Sequence, residues 1–87
     1  MVEDRETRKK RLAMRSMRRG MKEMDILLIR YSEAKLAGMD DAALDTYEAL
    51  LGENDQDLYQ WISGQRPAPA AHQALVEDIR EVASGAG

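Results

Sequence analysis

Residues 14–31 read MRSMRRGMKEMDILLIRY, and the large apolar side chains of this stretch recur at steps of three and four positions. The members of the series are Met14, Met17, Met21, Met24, Leu28 and Tyr31. Such spacing places them on one face of an α-helix and does not match the alternation of a β-strand. We therefore predict a single apolar stripe that runs from the basic N-terminal segment into the apolar run ILLI.

Gly20 lies in the middle of this stretch, and the pattern leaves two conformations open. In a continuous helix, Gly20 costs about 1 kcal/mol relative to alanine, and Arg19 and Glu23 form a weak i,i+4 pair. In a broken helix, Gly20 takes a positive φ and ends the first helix. Glu23 then falls in the first turn of the second helix, where its charge suits the helix dipole. In both cases the missing Cβ lets another surface approach the backbone closely.

The rest of the chain also has helical periodicity, interrupted by residues that begin and end helices. Helix ends are expected at Gly38, Gly52 and Gly64, and helix starts at Asp40 with Asp41, at Asn54 or Asp55, and at Pro69 as the first residue of the last helix. The expected core-facing residues of the last three helices are Leu44, Tyr47, Leu50, Leu51, Leu58, Trp61, Ile62, Leu75, Val76, Ile79 and Val82. We predict an all-α protein, a compact bundle of five short helices in one domain (residues 1–87), with a basic arm at about residues 1–11 and a flexible tail at about residues 84–87.

Charge is divided unevenly along the chain. The net charge of −3 combines nine Lys/Arg against three Asp/Glu in residues 1–22 with four against thirteen in residues 23–87. A basic arm on an acidic body favours an anionic partner, which could be a nucleic acid, a lipid surface or an acidic protein. The same charge pattern also fits a solvated helix face that has no partner. The acidic body and the lack of aromatic, Asn or Gln side chains on the basic helix argue against nucleic acid. A small nucleic-acid-binding or regulatory protein that acts through this helix stays as the alternative function.

The sequence contains no recognisable catalytic or metal-binding motif. The chain has no cysteine and one histidine, His72, so it lacks the ligands of an ordinary zinc site. The acidic stretch GENDQDLYQW begins like a calcium loop, but Leu58 and Gly64 stand where that loop needs glycine and glutamate. We expect no catalytic residue and no metal, and we expect His72 to be a solvated or hydrogen-bonded helix residue.

The N-terminus and the hydropathy of the chain bear on its location. The longest apolar run, Ile26–Ile29, is far shorter than the ~20 residues of a membrane span, so we expect no transmembrane segment. The N-terminal residues are rich in arginine, as in transit peptides, but Glu3, Asp4 and Glu6 do not fit that class. We expect a cytoplasmic protein of bacterial type, or a protein of the mitochondrial matrix if a transit peptide has been removed.

Two motifs resemble the succinate dehydrogenase assembly factor 2 family, also called the FAD assembly or flavinylation factors. The first is R-G-x-x-E, at Arg19, Gly20 and Glu23. The second is an acidic turn that leads into Asp-Leu-aromatic-x-Trp, in residues 57–61. The resemblance spans roughly residues 10–82, and it implies a small bundle of five helices.

The resemblance implies a protein that binds the flavoprotein subunit of succinate dehydrogenase, or of the related fumarate reductase, and promotes covalent attachment of FAD to a histidine of that subunit. It implies a chaperone-like factor that has no catalytic residues and binds no cofactor stably, in agreement with the lack of a dinucleotide-binding fingerprint. The expected partner-binding residues are Arg18, Arg19, Gly20, Met21, Glu23, Asp25 and Tyr59. In this hypothesis a side chain at Gly20 holds the two surfaces apart, whereas Trp61 is expected to belong to the core.

Overall fold

The computed structural model describes residues 3–17 and 20–85. Its helices are α1 (Arg5–Arg15), α2 (Lys22–Lys35), α3 (Asp41–Leu51), α4 (Asp55–Ile62) and α5 (Ala70–Ala83), with a 3₁₀ turn at Leu36–Gly38 after α2. No strand is formed in the described ranges. The predicted all-α bundle of five short helices is confirmed.

Side-chain caps explain where most of the helices begin. The carboxylates of Asp4 and Asp40 accept hydrogen bonds from backbone amides in the first turns of α1 and α3, at 2.7 and 2.8 Å, and so satisfy N–H groups that a helix start leaves unpaired. At the start of α4 the cap is Asn54 and not Asp55, because the Asn54 side chain accepts from the Gln56 amide at 2.8 Å. Pro69 is the N-cap of α5 and lies outside the helix, so its placement as the first helical residue is wrong by one position.

The core lies between the five helices, and α2 contacts both α4 and α5. Its largest fully buried side chains include Tyr47, Leu28 and Ile79. The predicted core residues of α3 and α4 are all buried, including Trp61. On α5, Val76 and Ile79 are buried as predicted, whereas Leu75 and Val82 are half-buried and pack against the edge of the core.

The predicted single apolar stripe is wrong at its N-terminal end. Met14 and Met17 are 73% and 44% exposed, whereas Met24 and Leu28 are fully buried. The reason is that α1 ends at Arg15 and α2 begins at Lys22, so these residues never share one helix. The side chain that α1 buries in the core is Leu12.

The basic arm is paired with acidic side chains of α3. Arg5 lies 3.1 Å from Asp41, and the guanidinium groups of Arg8 and Arg11 both lie 3.0 Å from the carboxylate of Glu48. The hydrogen bond from Arg11, and then that from Arg8, hold the pKa of Glu48 below its ordinary value. These cations are therefore matched within the protein, which removes much of the electrostatic reason to expect that the arm attracts an anionic partner.

Candidate functional site

The α1–α2 connection, residues 16–21, contains the glycine of the R-G-x-x-E motif. The Ser16 amide donates to the carbonyl oxygens of Leu12 and Ala13, and α1 ends there. Gly20 has a φ of +95°, and Met21 is extended as the N-cap of α2. The broken helix is thus the correct alternative. Gly20 itself turns the chain into α2, whereas α1 has already ended at Arg15, before the glycine that was expected to end it.

Gly20 is exposed, and a Cβ atom built on it meets no atom of the described residues within 4 Å. Crowding inside the protein therefore does not require a glycine at this position. Its positive φ does favour one, because an L-residue in left-handed backbone costs roughly 1–2 kcal/mol. A side chain introduced at position 20 would extend into solvent and would contact a partner bound to this surface.

The first turn of α2 carries two carboxylates of the predicted site. Glu23 is exposed, Asp25 is half-buried, and both lie near the positive end of the helix dipole. Glu23 forms no ion pair with any residue in the described ranges. Met21 is half-buried and packs against the core.

Arg18 and Arg19, the two basic residues of the predicted site, lie outside the described residues. The structure consequently brings together Gly20, Met21, Glu23 and Asp25 at the start of α2. The predicted pairing of opposite charges around Gly20, by Arg19 and Glu23, stays a prediction.

Tyr59, the remaining predicted contact, lies on a different helix. It is half-buried on α4 and lines an open groove of about 830 Å³ between α2, α4 and α5. Leu27 of α2 lines the same groove. Since Leu27 follows Glu23 by four residues, the groove begins one helical turn from Glu23 on the same side of α2.

Sequence reasoning missed the exposed apolar residues on both sides of Gly20. Met14, Met17 and Ile26 are the large hydrophobic side chains with high exposure in the described part of the chain, and Ile26 is 48% exposed. Ile26 lies three residues after Glu23, on the same side of α2. Single exposed apolar residues are common, but these three lie in the last turn of α1, in the connection and in the first two turns of α2. The sequence feature that indicates them is the methionine series, which continues on both sides of Gly20 although the helix breaks there.

His72 is a hydrogen-bonded helix residue and not a solvated one, so the first of its two expected environments is wrong and the second is correct. It is buried, its Nε2 lies 2.9 Å from a carboxylate oxygen of Glu53, and its ring stacks on Trp61 at a centroid distance of 5.8 Å. Within residues 3–17 and 20–85, no group of three or more His, Asp or Glu side chains is arranged to hold a metal ion. No helix in those ranges is long and apolar enough to cross a membrane.

These features define a small helical-bundle protein whose candidate site is an exposed surface at a helix junction. The sequence model of the family described as "Flavinator of succinate dehydrogenase" matches residues 10–83. The chain belongs to this family, and the resemblance seen in its two motifs is confirmed. The match includes Gly20, Glu23 and Tyr59.

Curated relatives are named as assembly factors of succinate dehydrogenase. The chain is 46% identical over 59 residues to "Succinate dehydrogenase assembly factor 2, mitochondrial" of Meyerozyma guilliermondii, an alignment that covers 68% of this chain and 44% of the relative. Proteins of the same name from Yarrowia lipolytica and Danio rerio are each 36% identical, over 93% and 83% of this chain and 59% and 47% of their own lengths. The chain thus spans about half the length of the curated relatives it matches.

Proposed function

We propose that this protein binds the flavoprotein subunit of succinate dehydrogenase, or of the related fumarate reductase, and promotes covalent attachment of FAD to a histidine of that subunit. The observation that carries the proposal is the family match over residues 10–83, with the motif glycine exposed at a helix junction. The protein then serves respiratory complex II and the tricarboxylic acid cycle. It acts where the flavoprotein matures, in the bacterial cytoplasm or the mitochondrial matrix.

The proposed mechanism is stabilisation of one conformation of the partner. The flavin supplies the chemistry of the covalent bond in the partner, and this chain holds the partner in the state in which its histidine reaches the isoalloxazine methyl group. A binding protein shifts such an equilibrium only by its difference in affinity for the two states, and a tenfold shift needs about 1.4 kcal/mol. In this proposal the chain binds no FAD stably and acts as a chaperone-like factor, because the partner and its flavin supply the chemistry.

Each part of the α1–α2 junction has a separate role in this proposal. Gly20 allows backbone-to-surface contact, because it is exposed and carries no side chain. Arg19 and Glu23 supply a bidentate donor and a carboxylate acceptor for polar groups of the partner. The exposed side chains of Met17 and Ile26 supply apolar contact area at the same junction. An interface that combines apolar contacts with a few charged ones is typical of protein partners.

The test is covalent flavin fluorescence of the flavoprotein subunit on a denaturing gel, from cells with this protein, without it, and with Gly20→Arg. Gly85→Arg is the matched control, because Gly85 also has a positive φ, +77°, and a Cβ built on it also meets no atom within 4 Å in the part of the chain that the structure describes. We expect a strong band with the wild type and the control, and a weak band with Gly20→Arg. A band that is unchanged when the protein is missing refutes the proposed function. Equal bands for Gly20→Arg and Gly85→Arg refute the role of Gly20 alone.

A further inference from the structure

A buried hydrogen bond ties the start of the α1–α2 connection to α3. The side chains of Ser16 and Tyr47 are both fully buried, and their hydroxyl oxygens lie 2.6 Å apart. The Ser16 hydroxyl also lies 2.8 Å from the carbonyl oxygen of Leu12, which can only accept. The single Ser16 hydroxyl proton therefore goes to Leu12, and the Tyr47 hydroxyl donates to Ser16.

Ser16 lies four residues before Gly20, and the other end of the connection is also attached to the core. Met21 packs against the core, and Met24, one turn into α2, is fully buried. Between these anchors, Met17 and Gly20 are exposed. The positions of Met17 and Gly20 consequently depend on how the two ends of the connection are anchored to the core. Ser16 is the buried residue that anchors the N-terminal end.

A hydrogen-bonded pair of hydroxyl groups in an apolar core contributes little net free energy to folding. Burying polar groups costs free energy that the hydrogen bond only offsets, and apolar side chains of similar shape are often as stabilising. What the hydrogen bond adds is direction, since it is satisfied only when the two oxygens are correctly placed. The Ser16–Tyr47 hydrogen bond thus fixes one position of Ser16 relative to α3. An apolar contact at the same place would be satisfied in several positions, because it has no preferred direction.

We propose that Ser16 and Tyr47 are positioning residues that hold the α1–α2 connection in the conformation that presents Gly20 to the partner. This inference rests on the proposed function for the identity of the partner. It concerns residues that contact no partner, because both are fully buried. Their effect on recognition passes through the positions of the exposed residues Met17 and Gly20.

The chain provides a matched control for Tyr47. Tyr31 is also buried, at 3% exposure, its ring centroid lies 5.7 Å from that of Tyr47, and its hydroxyl donates one hydrogen bond, to Asp78 at 2.8 Å. That hydrogen bond joins α2 to α5 and does not touch the connection. Tyr47→Phe and Tyr31→Phe each delete one buried hydroxyl from the same aromatic pair, and only Tyr47→Phe frees Ser16.

The experiment compares Tyr47→Phe, Tyr31→Phe and Ser16→Ala with the wild type in three measurements. These are thermal unfolding, hydrogen exchange of the backbone amides of Gly20 and Met21, and binding to the purified flavoprotein subunit. We expect Tyr47→Phe and Ser16→Ala to speed local exchange and weaken binding by about fivefold, the loss that one net hydrogen bond represents. We expect Tyr31→Phe to lower thermal stability to a similar extent and to leave both other readouts unchanged. Ser16→Ala tests the same link from the opposite side if Tyr47→Phe folds poorly.

Two results overturn the inference. One is that Tyr47→Phe and Tyr31→Phe change local exchange and binding equally. The other is that Tyr47→Phe lowers stability while the folded fraction binds with wild-type affinity. A wild type that does not bind the flavoprotein subunit at all refutes the proposed function, and the exchange data then still report whether the pair positions the connection.

Discussion

Replacing Glu48 by glutamine tests how the basic arm is attached. The Glu48 side chain is 31% exposed and receives ion pairs from Arg8 and Arg11, each at 3.0 Å. Fully exposed pairs contribute about 0.2–1 kcal/mol each, whereas hydrogen bonds to charged groups contribute about 1.5–3 kcal/mol. Glutamine keeps one oxygen that accepts a hydrogen bond, so we expect Glu48→Gln to cost about 1–2 kcal/mol. For a domain of this size that corresponds to a fall in Tm of roughly 4–16 °C.

The pH dependence of this cost has a definite sign. The pKa of Glu48 is lowered in the folded protein by the Arg11 and Arg8 hydrogen bonds, and that of Asp41 by the hydrogen bond from Arg5. A carboxyl with a lowered folded pKa contributes stability above its unfolded pKa, about 4.3 for glutamate, and loses it as pH falls through the folded pKa. The wild type should therefore lose stability more steeply than Glu48→Gln below about pH 4.5, and the two should converge in strong acid.

Thermal unfolding followed by circular dichroism, at low salt and at 1 M salt, measures both effects. Glu33→Gln is the control, because Glu33 is exposed on α2 and forms no ion pair with any residue that the structure describes. High salt should shrink the difference between Glu48→Gln and the wild type, since the screening length falls to about 3 Å. If Glu48→Gln and Glu33→Gln unfold within about 2 °C of each other at low salt, the arm is not held by these ion pairs and the reasoning fails.

Three further predictions concern the core, the exposed surface and the alternative function. Leu12→Ala should destabilise the protein by about 2–5 kcal/mol in chemical denaturation, because Leu12 is fully buried; a cost under 1 kcal/mol contradicts its place in the core. Ile26→Asp should weaken flavoprotein binding several-fold with Tm within about 2 °C of the wild type, because Ile26 is 48% exposed; unchanged affinity removes Ile26 from the surface. The protein should not bind a fluorescently labelled DNA duplex at low salt, measured by fluorescence anisotropy, because the arm is paired with α3. Tight binding that weakens steeply with salt supports the nucleic-acid alternative.

The sequence predicted the helices well because their start and stop signals are local. Asp40 and Asn54 are caps whose oxygens reach amides two or three residues away, and these contacts depend on little else in the fold. The conformation at Gly20 was not predictable in the same way. A helix that continues through glycine costs only about 1 kcal/mol, which is less than the burial of one leucine, so tertiary contacts decide the outcome.

Those deciding contacts are distant in sequence. α1 contacts α3, and its Leu12 is buried in the core. The Tyr47 hydroxyl of α3 donates a hydrogen bond to Ser16 at the end of α1, and Arg8 of α1 pairs with Glu48 of α3, 40 residues away. Periodicity identifies the apolar face of a helix and carries no information on which helix covers it. For this reason the spacing predicts that Met14 and Met17 belong to the stripe and gives no sign that Ile26 is exposed. The motif identified the region of the site, but not the apolar residues beside it.

The pairing of the arm also changes what the uneven charge implies about the partner. With Arg5, Arg8 and Arg11 matched by acids of α3, the arm no longer presents the dense cationic surface that a polyanion requires. Around the α1–α2 connection the structure instead exposes apolar side chains at Met17 and Ile26. A surface of that kind gains affinity by burying apolar area against a shaped surface of a folded partner, with charged groups to set its orientation. The geometry of the junction and the family therefore both favour a protein partner, and an exposed glycine is an advantage where two folded backbones meet.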